Sequence, residues 1–247
     1  MKKLYIILFV LLTVTEVKAQ HTQEGKIEYV RSTNLHRMID QMDDEDKEWI
    51  NKMRSQIPVH NVHYFDLYFT PKHSLYKPGK ESEQTVNFWF ARTPAAENIV
   101  YTDFLTGNVT AQKQVYEEKF LVKDSMRKIK WTIKDEVRTI AEYKCRKAVG
   151  VMYDSVYVIA FYTEDIPASG GPEMFGMLPG MIMEVAVPRL HTTWIASKVE
   201  YIKPDEKELV PPKKGKETTQ KEMQSTLSTS LQRWGKFADR AVWWSLL

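Results

Sequence analysis

The side chains able to do chemistry are few and scattered. One cysteine, Cys145, stands in Tyr143-Lys144-Cys145-Arg146-Lys147, where neighbouring cations would favour a thiolate nucleophile or metal ligand. On an alternating strand, however, Cys145 turns away from Lys144 and Arg146, and free cysteine is among the most buried residue types, so a buried structural thiol is the stronger expectation. His60 and His63 have the look of a metal pair, but an odd offset on a strand sends the two imidazoles to opposite faces. Met174, Met177, Met181 and Met183, followed by His191, form a soft-donor group of the kind that takes copper(I). Against this, Met181, Met183, Val185 and Val187 read as an ordinary apolar strand face. These methionines and His191 are the candidate metal ligands, with copper as the alternative to no cofactor. No His-Glu-x-x-His, paired Cys-x-x-Cys, calcium loop, serine elbow or phosphate loop is present. Glu164 and Asp165 are adjacent and diverge, whereas the paired carboxylates of a glycosidase stand roughly 5 to 9.5 Å apart. No catalytic residue is nominated.

The elements that would position these groups are mostly strands. Gly25 to Thr33 alternates, and His60 to Phe69 separates into two clean faces. Further strands are expected at Val86–Ala91, Asn98–Leu105, Val109–Tyr116, Phe120–Lys123, Lys128–Ile133, Thr139–Tyr143, Lys147–Tyr153, Val156–Tyr162, Met181–Val187 and Thr192–Ile202, with a Thr106-Gly107-Asn108 hairpin turn. Strands recurring without intervening helices indicate a mainly β chain, a large curved antiparallel sheet or half-barrel with one or two covering helices, α+β being the alternative. The acidic run at Asp43 opens a helix near 43–55 that Pro58 ends. Asp165 to Gly180 is a Gly- and Pro-rich loop in which Leu178-Pro179-Gly180 suits a type II turn. Residues 204–219, with Pro211-Pro212, read as a linker. Met223, Leu227, Leu231, Trp234, Ala238 and Ala241 then recur at helical spacing within 220–247, a helix expected to pack on the sheet. Truncation after Arg240 is expected to leave a folded protein, with Trp243 to Leu247 lying on the core or meeting a partner.

Met1-Lys2-Lys3, the apolar run Leu4 to Val14 and Val17-Lys18-Ala19 have the form of a secretory signal over residues 1–19, cleaved between Ala19 and Gln20. The run is too short to span a bilayer, so no transmembrane anchor is expected after cleavage. Without those residues the formal charge falls from +3 to +1, which gives no electrostatic case for nucleic acid or an anionic membrane. The mature chain is then one domain over 20–203 followed by linker and helix.

Trp131-Thr132-Ile133, Tyr143 to Ala148, Phe161-Tyr162-Thr163-Glu164-Asp165-Ile166-Pro167 with Gly171-Pro172, and Gly176-Met177-Leu178-Pro179-Gly180-Met181-Ile182 occur in this order. In these stretches the chain resembles the GLPGLI family of exported Bacteroidetes proteins. That resemblance implies a periplasmic or outer-surface location and no secure activity. The backbone preferences of Pro179 and Gly180 give Gly176, Leu178, Pro179 and Gly180 a structural turn role, while the bacterial group makes Ser125 and Ser155, each in an Asp-Ser-apolar triplet, candidates for O-glycosylation. The expected function is a non-enzymatic binding or accessory protein for an apolar or peptide-like ligand or an outer-membrane protein. Periplasmic copper handling and a hydrolase with an unrecognised site are the alternatives.

Overall fold

The computed structural model describes residues 24–42, 44–83, 86, 91, 94–153, 155–234 and 236–247. Ala19, Gln20, Asp43, Asp154 and most of the strand expected at Val86–Ala91 lie outside the described residues. The strands are β1 Gly25–Asn34, β2 His60–Phe69, β3 His73–Pro78, β4 Ile99–Asp103, β5 Asn108–Val115, β6 Glu118–Ser125, β7 Thr132–Ile140, β8 Tyr143–Met152, β9 Val156–Thr163, β10 Met181–Val187, β11 Thr192–Glu200 and β12 Lys216–Thr218. They form one curved, open sheet in the order β12-β6-β5-β4-β3-β2-β1-β11-β10-β9-β8-β7. Two antiparallel meanders build it. The first runs from the centre outward as β1 to β6; the second starts at the far edge with β7 and returns through β11, which closes on β1 in antiparallel register.

This topology explains where the strand expectations fail. Between β6 and β7 the chain must pass from one edge of the sheet to the other, so Lys128 to Trp131 is a crossover and not a strand. Its apolar residues bury themselves on the way: Ile129 is buried, and Ile129 and Trp131 lie over Gly150 of β8, where a Cβ would stand only 2.9 Å from the indole. β3, which was not expected, follows β2 after a short turn in which Thr70 Oγ1 accepts from His73 N at 3.1 Å. The expected linker is not featureless, because Lys216–Thr218 pairs in parallel with Phe120–Val122, making the sheet mixed at that edge.

Four helices among the described residues complete the fold. α1 Leu35–Asp40 is capped by the Asn34 side chain accepting from Arg37 N at 2.9 Å, and α2 is Asp44–Lys52. With Ile57 and Ala91 the two build a small core of Leu35, Met38, Ile39, Met42 and Ile50. α3 Gln220–Ser230 begins in a capping box in which Thr219 and Glu222 exchange bonds at 3.2 and 2.9 Å. The single carboxy-terminal helix expected from the periodicity breaks after Leu231, and α4 Lys236–Ser245 follows a 3-10 turn. The break lets Trp234 lie half-exposed, edge-on to Tyr116 at 5.0 Å, while Trp244, Leu246 and Leu247 enter the main core beside Trp194. Trp243 to Leu247 is therefore a plug for the covered face, which corrects the expectation that the chain after Arg240 is dispensable. No helix among the described residues is long and apolar enough to cross a membrane.

Candidate functional site

The covered face of the sheet is apolar except at its centre. β1 places Ile27, Tyr29, Arg31 and Thr33 on this face, all buried, and the register sets Arg31 directly between His63 of β2 and Trp194 of β11. Arg31 is 0% exposed. Its Nη1 donates to Ala95 O at 2.7 Å, and its guanidinium lies 5.1 Å from the Phe65 ring and 5.4 Å from the Trp244 ring. Burial draws its pKa below the usual guanidinium value, with the Tyr76 and Glu173 charges opposing. His63 is more strongly affected: burial, aided by the Arg31 charge, depresses its imidazole to about 3, so it is neutral at physiological pH.

The loop between β9 and β10 supplies the carboxylate. Glu173, at φ +52, is driven into the core, where its Oε2 accepts from Asn98 Nδ2 at 2.7 Å and its Oε1 from Tyr76 OH at 3.3 Å. On the far side Lys113 of β5 is 1% exposed with no hydrogen-bond partner for Nζ. Burial pulls its pKa down to about 8 against the opposing pull of Glu173, while Arg127 lowers it further. Arg127 itself is satisfied: it donates to Gln220 Oε1 and Leu246 O and lies 5.2 Å from the Tyr153 ring. The interior thus holds more cationic groups than carboxylates.

The loop that delivers Glu173 contains the sequence-predicted turn. Ile166 O and Gly170 O accept from Met181 N and Ile182 N, both at 2.9 Å, sewing the loop to the start of β10. Ser169 Oγ donates to Leu178 O at 2.6 Å and Trp131 Nε1 to Gly176 O at 3.0 Å. Leu178-Pro179-Gly180 does turn, but not as type II. Met181 N is taken by Ile166, so the local bond is Gly180 N to Leu178 O at 2.8 Å across Pro179, and Gly180 opens to φ +145. A Cβ there would collide with the Thr163 carbonyl.

Of the other candidates, Met174, Met181 and Met183 are buried in the main core, Met177 is exposed, and His191 stands after a 3-10 turn at φ +49. No group of three or more His, Cys, Asp and Glu able to hold a metal occurs among the described residues. Cys145 is buried, its thiol pushed up to about 12 by burial. Ser125 and Ser155 are both exposed. On the outer face Glu184 is held by Arg138 Nη1 at 3.1 and 2.9 Å, the guanidinium lying 3.7 Å from the Phe161 ring. Also outside, the segment after β11 crosses the sheet and leaves a groove of about 140 Å³ between Tyr68, Leu75 and Lys77 and residues Ile202, Asp205 and Glu208. Lys77 Nζ lies 4.9 Å above the Tyr68 ring.

Arg31, Tyr76, Asn98, Lys113 and Glu173 were not singled out from sequence, and His63 stood out only as half of a metal pair with His60. Two of them carried a signal, because Ile27-Tyr29-Arg31-Thr33 and Val109-Ala111-Lys113-Val115 each set a full charge on an otherwise inward face. Glu173 carried none, since its position depends on how the loop folds.

A family model described as "N-glycanase peptide, N-terminal domain" matches residues 82–223, from before β4 to the first turn of α3. The fold is shared with PNGF-II, solved in space group C2 (TM-score 0.53, 17% identity, 90% of this chain and 33% of that chain) and in P21 (TM-score 0.52, 18% identity, 79% and 32%). No curated protein matches. The chain spans about a third of the length of PNGF-II.

Proposed function

We propose, from the premise that this chain belongs to the family of the N-glycanase peptide N-terminal domain, that it is a non-catalytic binding module of an exported cell-envelope protein. Its ligand is a peptide-like chain of the glycopeptide class that the family name suggests. The observation carrying this reading is the outer groove at Tyr68, where an aromatic ring, apolar side chains and both signs of charge meet at the surface. A ring face flanked by hydrogen-bonding groups is how a sugar or peptide segment is gripped without being cut. The groups with reactive potential are withdrawn from use: Cys145 is buried and held protonated, and the Glu184 carboxylate is clamped by Arg138. The basic start and short apolar run before Gln20 support export.

Titration of the protein with an N-glycosylated peptide by isotope-edited NMR tests the reading. Shifts should gather around Tyr68, Lys77 and Glu208, and Tyr68→Ala should weaken binding about tenfold, as loss of a stacked ring does at a recognition site. Release of the glycan from the peptide, or undiminished binding by Tyr68→Ala, would overturn it.

A further inference from the structure

Arg31 presents an unused recognition edge. Of its guanidinium nitrogens only Nη1 has a partner, whereas Nε and Nη2 are buried and bonded to nothing among the described residues. Those two lie on one edge, where parallel N–H bonds match the two oxygens of a carboxylate. None of the ion pairs among the described residues includes Arg31, and Glu173 is committed to Asn98 and Tyr76. The surrounding side chains repeat the pattern. Trp244, whose ring centroid is 6.2 Å from that of Trp194, buries an indole N–H without a partner, while Trp194, the cross-strand neighbour of Arg31, has its N–H facing Tyr76. His63 Nδ1 on the opposite side is also buried and unpaired. A buried cation with several unspent donors and aromatic walls is a costly arrangement on its own, because each unpaired buried polar group loses its hydration without return.

We propose that Arg31 is the anchor of a buried receptor for the carboxylate of a small organic acid. The two carboxylate oxygens take the Nε–Nη2 edge, the indole N–H of Trp244 supplies a further donor, and the apolar part of the acid lies among Phe65, Trp194 and Trp244. The site is closed by α4, so entry requires the helix carrying Trp244 to lift. This inference is independent of the groove at Tyr68 and would stand if that reading failed.

The test uses the full chain, dialysed free of organic acids. Acetate, propionate, benzoate and inorganic phosphate are titrated against chloride at constant ionic strength, with indole emission and calorimetry as readouts. The expected result is saturable binding of at least one carboxylate with a change in indole emission, at least tenfold weaker in Arg31→Lys, which keeps the charge but lacks the fork. Tyr68→Ala should bind as the unaltered protein does. Should Arg31→Lys not fold, Trp244→Phe, which keeps a ring and removes the donor, should bind several-fold more weakly. Carboxylates acting no differently from chloride, a response to phosphate alone, or undiminished binding in the variant that folds would overturn the proposal.

Discussion

Lys113→Met should stabilise the protein near neutral pH. The ammonium of Lys113 is buried in the covered face without a hydrogen-bond partner, and burial lowers its pKa from the usual 10.5 to about 8. Below about pH 8 the amine is protonated in both folded and unfolded chains, and the folded state bears the whole penalty of the buried charge. Between about 8 and 10.5 the unfolded chain binds more proton than the folded one, so this contribution rises with pH until the penalty is gone. The depression corresponds to about 3 kcal/mol. Methionine has similar length, no charge and a flexible stem suited to an apolar niche. The variant should therefore exceed the parent by up to about 3 kcal/mol at pH 7, roughly 6 to 12 °C in Tm for a chain of this size, and by little at pH 10.5. Urea unfolding followed by indole emission at pH 7, 8.5 and 10 measures the gap. Cys145 and the buried Tyr29 and Tyr76, all with raised pKa values, destabilise both proteins alike at the alkaline end, so the difference isolates Lys113. A variant less stable than the parent at pH 7, or a gap that does not change with pH, would refute the reasoning.

Gly180→Val should lose roughly 1 to 3 kcal/mol for a β-branched residue at φ +145 and a further 1 to 3 or so for crowding the Thr163 carbonyl; unfolding midpoints equal to the parent's would contradict this. Cys145, buried and held protonated with its thiol at about 12, should label with thiol reagents only as fast as the protein unfolds, and a rapid native reaction near pH 7 would show the thiol to be accessible. Truncation after Arg240 removes Trp244, Leu246 and Leu247 from the core, each worth about 1.5 to 3 kcal/mol when buried, so the shortened chain should bind a hydrophobic dye and lose its cooperative transition, as calorimetry would record.

Strands whose two faces differ in polarity were legible because alternation is a local property. His60–Phe69 carries the pattern within ten residues, and the structure gives it those bounds. The crossover at Lys128 to Trp131 alternates equally well, yet it buries Ile129 against β8 from the other edge of the sheet, a contact that no window of neighbouring residues contains. The break between α3 and α4 has the same origin. Met223, Leu227 and Leu231 bury on one line, but Trp234 and Trp244 have separate destinations, and the helix yields where its stripe would otherwise need to serve both.

The interior site was illegible for a reason tied to the Leu178-Pro179-Gly180 turn. A Leu-Pro-Gly corner announces that the chain changes direction, not what the preceding residues must do. Here Gly180, by tolerating φ +145 against the Thr163 carbonyl, lets β10 start beside β9 with the whole loop folded back over the covered face. The Met181 and Ile182 N–H groups then fix the loop through Ile166 and Gly170, and only that closure brings Glu173 to Tyr76 and Asn98. Arg31 and Lys113 reach the same interior from strands with β2, β3 and β4 between them. Glu173 acts on the charges of both, yet accepts hydrogen bonds from neither. The carboxylate therefore organises the centre without neutralising it, and the fork of Arg31 is left free because the one acid that the loop delivers is already spent.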